Sequence, residues 1–194
     1  MGSNSTERLV HIPPEERLNV FALVTYVPGP LGDFLDDLRR KLVPGCNPHA
    51  HVSLLPPRPL AVDWSVASDQ VCRVLNSWNP FEIELTGVDI FPVTDVIYLE
   101  VGCGAAELRQ VHRAMNAGPL EFQEPFAYHP HITLAQELPR DDVAATSEMA
   151  RRLWGEYTGP RRFPAEHAAF VQNSLGNCWI DLASYSLGGS AVKS

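Results

Sequence analysis

Short runs of alternating apolar and polar residues in this chain are separated by runs with a helical period. Residues 18–26, rich in Val, Phe and Tyr, predict a strand, and Pro28-Gly29-Pro30 turns the chain. Apolar residues at 31, 34, 35, 38 and 42 predict a helix, which Pro44-Gly45 ends. Residues 49–55 alternate again and predict a strand stopped by Pro56-Pro57. A helix over 63–78 follows, then strands over 81–90 and 93–102 that can pair as a hairpin. The order then returns: a helix over 105–115, a strand over 128–135, a helix over 142–157, and strands over 163–171 and 178–187 around the turn-prone segment 173–177. Each half reads strand, helix, strand, helix, strand. Two copies of so long a period imply two pseudo-symmetric lobes and not a solenoid, which needs at least three. Residues 1–17, polar and proline-bearing, are read as a loose lead-in, 18–187 as one α+β domain, and 188–194 as a tail.

Composition narrows the class. The chain has 194 residues, 45% hydrophobic and 20% charged, which suits a folded globular protein. No apolar run approaches the ~20 residues of a membrane helix. The start of the chain lacks the apolar segment of a secretory signal, and Cys46, Cys72, Cys103 and Cys178 form no CxxC pair. A reducing, cytoplasmic setting without disulfides is therefore expected. The net charge of −8 lacks the basic excess of a protein that wraps long nucleic acid. Arg39-Arg40-Lys41 and Arg151-Arg152 fall in predicted helices and read as solvated faces. The balance favours a small or terminal phosphate substrate.

One motif carries chemistry. Pro48-His-Ala-His-Val-Ser-Leu54 lines up with Tyr128-His-Pro-His-Ile-Thr-Leu134, and the second copy stands 80 positions after the first. In a strand, residues i and i+2 share a face, so His51 goes with Ser53 and His131 with Thr133. If two lobes face each other across a cleft, two imidazoles and two hydroxyls converge there. A neutral imidazole takes a proton from attacking water, and an imidazolium gives one to the leaving oxygen. The hydroxyls hold the non-bridging phosphate oxygens. This scheme needs no metal or other cofactor.

The paired motifs His51-Val-Ser53-Leu54 and His131-Ile-Thr133-Leu134 resemble the two signatures of the 2H phosphoesterase superfamily, and within it the bacterial 2′-5′ RNA ligase and RNA 2′,3′-cyclic phosphodiesterase proteins. The resemblance spans residues 18–187. It implies a bilobal fold of duplicated β-α-β-α-β units, with antiparallel-rich sheets lining a central cleft and helices outside. It implies that His51 and His131 are catalytic and that Ser53 and Thr133 hold the phosphate. The expected activity is metal-independent opening of a cyclic phosphodiester, such as a 2′,3′-cyclic phosphate on an RNA end or small nucleotide, with 2′-5′ ligation as an alternative. One departure is visible: Gln136 follows Ala135, where close RNA cyclic phosphodiesterases often carry arginine. That departure leaves the exact substrate open.

Further candidates for substrate contact are His49, His129, Arg58 and Tyr128. The outer histidines are read as rim residues. Arg58 is read as a loop arginine within reach of a phosphate, and Phe126 and Tyr128 as residues able to stack on a base or to pack. Tyr26 and Trp179 are read as packing residues, and His11, His112 and His167 carry no signal. Two other readings stand beside the first: a metal-dependent hydrolase using the His-x-His pairs as a four-histidine site, and a non-catalytic module that binds nucleotides or RNA ends. No protein partner is evident, and a monomer is expected because the cleft is completed within one chain.

Overall fold

The computed structural model describes residues 12–189. Its elements run β1 (Arg17–Tyr26), α1 (Leu31–Leu42), β2 (His51–Arg58), α2 (Trp64–Leu75), β3 (Phe81–Ile90), β4 (Ile97–Val101), α3 (Ala105–Met115), β5 (His131–Ala135), α4 (Arg140–Glu156), β6 (Arg162–Ala165), β7 (His167–Ser174) and β8 (Trp179–Ser186). Short 3-10 turns lie at Pro14–Glu16 and Gly118–Leu120. Most of the expected lead-in, with His11, and most of the expected tail lie outside the described residues.

The strands form two four-stranded antiparallel sheets, ordered β2-β1-β7-β8 and β5-β4-β3-β6. The α+β duplication holds, with an exchange of strands between the lobes. Strand β3 closes the first repeat but pairs with β4 in the second sheet, and β7 closes the second repeat but pairs with β1. One hydrophobic core accordingly runs through both sheets, from Leu23 and Phe170 in the first to Ile83 and Leu99 in the second. Helix α1 buries Leu31, Leu35, Leu38 and Leu42 and packs against β5 and α4. Helices α2 and α3 pack on each other and on β8 and β2. The helices cover one face of each sheet and leave the other for the cleft.

Several boundaries differ from the sequence reading, for local reasons. Strand β2 continues through Pro56-Pro57 to Arg58, because it is an edge strand whose prolines owe no ladder hydrogen bond. Strand β5 starts at His131, not at residue 128, since Pro130 has no N–H to donate. Strand β4 starts at Ile97; residues 91–96 form its entry loop, with Asp95 at φ 56° and Val93 exposed. Asp63 lies outside α2 and caps it, accepting the Ser65 N–H at 2.9 Å. The single strand expected over 163–171 is two strands. Strand β6 pairs with β3, and after Glu166 the chain crosses to the other sheet as β7. The strict alternation of β6 breaks at Glu166-His167 and gives way to the buried run 168–171 of β7, a two-polar step that a single-strand reading passes over.

Candidate active site

Strands β2 and β5, which carry the two motifs, are edge strands of their sheets and run beside each other. Their alternation is as expected. Val52, Leu54, Ile132 and Leu134 are buried in the core, whereas His51, Ser53, His131 and Thr133 line a cleft of ≈ 1240 Å³ between the sheets. The first sheet's floor beneath them is a small apolar patch of Ala22, Val24, Ala169 and Val171.

Each motif histidine is fixed in the same way. Nδ1 of His51 lies 2.7 Å from the His49 carbonyl oxygen, and Nδ1 of His131 lies 2.7 Å from that of His129. A carbonyl only accepts, so both rings carry their proton on Nδ1 and present an unprotonated Nε2 when neutral. Burial pushes the His51 imidazolium down to about 4, against the support of the His49 carbonyl; the charges of Arg39, His49 and His131 push further in the same direction. Burial also lowers His131, with the His129 carbonyl and the Glu100 carboxylate opposing.

The two halves are equivalent in backbone and unlike in chemistry. Tyr26 stands across from His51 and Glu100 across from His131. Tyr26 stacks on His49 at 3.7 Å between ring centroids and donates its hydroxyl to Asp181 at 2.6 Å. Glu100 instead lies 2.7 Å from Nε2 of His129. Phe91 and Tyr98, stacked at 4.0 Å, both meet the His131 ring edge-on. The outer histidines are thus held at the rim by partners of their own, and among the described residues no three His, Cys, Asp or Glu side chains gather as a metal-binding group.

Arg58 corrects the sequence reading. It is 2% exposed and forms an ion pair with Glu124, donates to Asn116 Oδ1 at 2.7 Å and Leu120 O at 3.0 Å, and does not line the cleft. The continuation of β2 carries it inward, so it ties β2 to the segment after α3. The same Glu124 carboxylate lies 2.8 Å from Nε2 of His112, whose ring stacks on Tyr128 at 3.9 Å. Tyr128 donates to the Ser53 carbonyl at 2.7 Å, so it lines the cleft while bracing the first motif from the other lobe.

Phe126 (57% exposed), a stacking candidate from the sequence, stands on the cleft rim, and so does Trp179 (39% exposed), which the sequence reading assigns to packing. Tyr26 lines the cleft as well. Glu100, a lone carboxylate in an otherwise apolar strand, was a legible signal. Arg39 lines the cleft beside His51, although the run Arg39-Arg40-Lys41 had looked solvated. Its position next to the stripe of Leu35, Leu38 and Leu42 was the available clue.

The two lobes exchange strands, each brings one His-x-[Ser/Thr] pair to the shared cleft, and the fold is that of the 2H phosphoesterases. The chain belongs to the 2′-5′ RNA ligase superfamily, whose family model matches residues 27–177. A Bacillus licheniformis protein provisionally named a phosphoesterase is 28% identical over 141 residues, 66% of this chain and 79% of the relative. A Geobacillus kaustophilus protein with the same provisional name is 24% identical over 134 residues, 64% of this chain and 73% of that protein. In fold, E. coli LigT crystallised with NADP+ superposes with a TM-score of 0.61 at 16% identity, covering 90% of this chain and 99% of LigT. LigT has also been solved with 3′-AMP and with phosphate.

Proposed function

We propose that the protein is a phosphoesterase that hydrolyses cyclic phosphodiesters, with an RNA or nucleotide 2′,3′-cyclic phosphate as substrate, by two-histidine acid–base catalysis without metal. The observation that carries this reading is the matched fixation of His51 and His131 through Nδ1, which leaves two Nε2 atoms for one cleft. Burial disfavours the charged form of both histidines, and the Glu100 carboxylate opposes this only at His131; that difference supports His51 as the base and His131 as the acid.

His51 Nε2 takes a proton from water as the water oxygen bonds to phosphorus. The phosphorus bond to one ribose oxygen breaks, and His131 protonates that oxygen. The Ser53 and Thr133 hydroxyls donate to the non-bridging oxygens, where charge must be held through the transition state. A cleft of ≈ 1240 Å³ exceeds the ~300–1,000 Å³ usual for small-molecule sites, and its rim aromatics Phe126 and Trp179 offer π-faces to bases. Both features favour a nucleotide or short RNA end over a bare sugar phosphate. The 3′-AMP and phosphate held by LigT, a protein of the same fold, agree with that class.

The test is turnover of 2′,3′-cyclic mononucleotides and of a short RNA ending in a cyclic phosphate, with EDTA present. Wild-type turnover is expected, together with a loss of roughly 10²–10⁴-fold in each of His51→Gln and His131→Gln. Full activity in either folded variant refutes the mechanism. Dependence on added metal refutes its metal-free form, and formation of 2′-5′ joined product without hydrolysis reassigns the reaction to ligation.

A further inference from the structure

We propose that Arg39 is an anion-binding residue of the cleft, receiving the non-bridging oxygens of a substrate phosphate on the His51 side. The proposal rests on the phosphoesterase reading and names the group that selects for a phosphate there.

Arg39 sits on α1 beside the buried stripe of Leu35, Leu38 and Leu42, and its side chain reaches the cleft wall with Tyr26, Cys46 and His51. Among the described lining residues it is the one arginine or lysine. Its Nε is buried without a hydrogen-bond partner. The nearby Asp36 carboxylate is taken up by the Ala50 N–H at 2.7 Å. Other arginines withdrawn into the fold find partners there: Arg58 pairs with Glu124, and Arg161 donates to the carbonyls of Trp154 and Tyr157 while lying over the Trp154 ring.

Arg39 is half-buried, and a buried Nε–H with no acceptor costs free energy unless something completes it. The guanidinium's planar fork of donors matches phosphate oxygens. The cleft also holds the carboxylates of Asp181, Glu124 and Glu137; Asp181 accepts from Tyr26 and Glu124 is paired with Arg58, so neither is bonded to Arg39. Arg39 also repels the His51 imidazolium, which places its positive charge on the His51 side of the cleft, with the Asp36 carboxylate nearby.

The experiment is a titration of the full chain with inorganic phosphate, followed by NMR of the arginine Nε–H and histidine ring resonances, beside steady-state kinetics on the cyclic nucleotide. Phosphate is expected to shift the Arg39 Nε–H signal of the wild type. Arg39→Gln is expected to weaken phosphate binding and raise KM by about 10- to 100-fold, with a smaller change in kcat, and Arg39→Lys to recover part of the loss. Unchanged phosphate affinity in Arg39→Gln overturns the proposal, as does a wild type that takes up no phosphate. If Arg39→Gln does not fold, the wild-type Nε–H signal decides alone, and its failure to move at saturating phosphate is equally fatal. Arg39-dependent phosphate binding without turnover would sink the reaction reading and keep this site. Turnover that ignores Arg39 would do the reverse.

Discussion

Glu124→Gln removes the charge against which Arg58 is buried. The Arg58 side chain is 1% exposed and that of Glu124 11%, so solvent screens the pair very little. Three acceptors stay with the guanidinium: Pro56 O at 3.0 Å, Asn116 Oδ1 at 2.7 Å and Leu120 O at 3.0 Å. The substitution thus leaves a hydrogen-bonded cation without its counter-charge. Breaking a buried pair by removing one partner costs ~3–5 kcal/mol. The surviving acceptors and the glutamine oxygen put the expected loss near the lower end, about 3 kcal/mol. A double variant, Arg58→Met with Glu124→Leu, removes both charges and is expected to cost less than the single one. Arg152–Glu156, with side chains 59% and 60% exposed, is the control, and Glu156→Gln should cost under about 1 kcal/mol. Urea unfolding at neutral pH, followed by circular dichroism and tryptophan fluorescence, measures all three. If Glu124→Gln is no more destabilising than Glu156→Gln, the account of this network as a buried charge pair is refuted. A double variant much less stable than Glu124→Gln would refute it as well.

Two further predictions concern the same wall and the motif histidines. Tyr128→Phe leaves the Ser53 carbonyl without its 2.7 Å donor; a loss of about 1–2 kcal/mol in stability and a several-fold fall in kcat/KM are expected, read by thermal unfolding and kinetics. His51 titrates near 4 in the folded chain and near 6.5 when unfolded, so between those values the unfolded chain binds more protons. Acidification through that window therefore lowers stability, at up to about 1.4 kcal/mol per pH unit, with His131 acting in the same direction. His51→Gln is expected to flatten this dependence in urea unfolding measured from pH 7 to 4.5. The acid limb of wild-type kcat/KM is expected to fall below the ordinary histidine range, because the free base is His51.

The motif strands, their alternation and the duplication were legible in the sequence. Which residues of 51–54 and 131–134 point inward depends only on the two-residue period of a strand, a local property of the backbone. The same held for most helices, whose apolar stripes at three- and four-residue spacing are also local. The absence of a basic excess was legible too, because composition needs no coordinates.

Tertiary structure decided what depends on partners distant in the chain. The pairing partners of β3 and β7 could not be read locally, since alternation, and even its break at Glu166-His167, records which face is apolar and not which strand pairs with it. Tyr26 and Glu100 occupy equivalent places, and only the strand register sets them across from His51 and His131 to make the two histidines unequal. Arg58 looked like a loop residue after two prolines; the edge position of β2 let the strand continue and carried it inward to Glu124, 66 residues away. Arg39 and Arg40 are neighbours of one residue type, yet Arg40 meets Asp37 at the surface and Arg39 enters the cleft. The fate of a cation is set by what the fold brings against it, and that is a sum over long-range contacts that no local pattern contains.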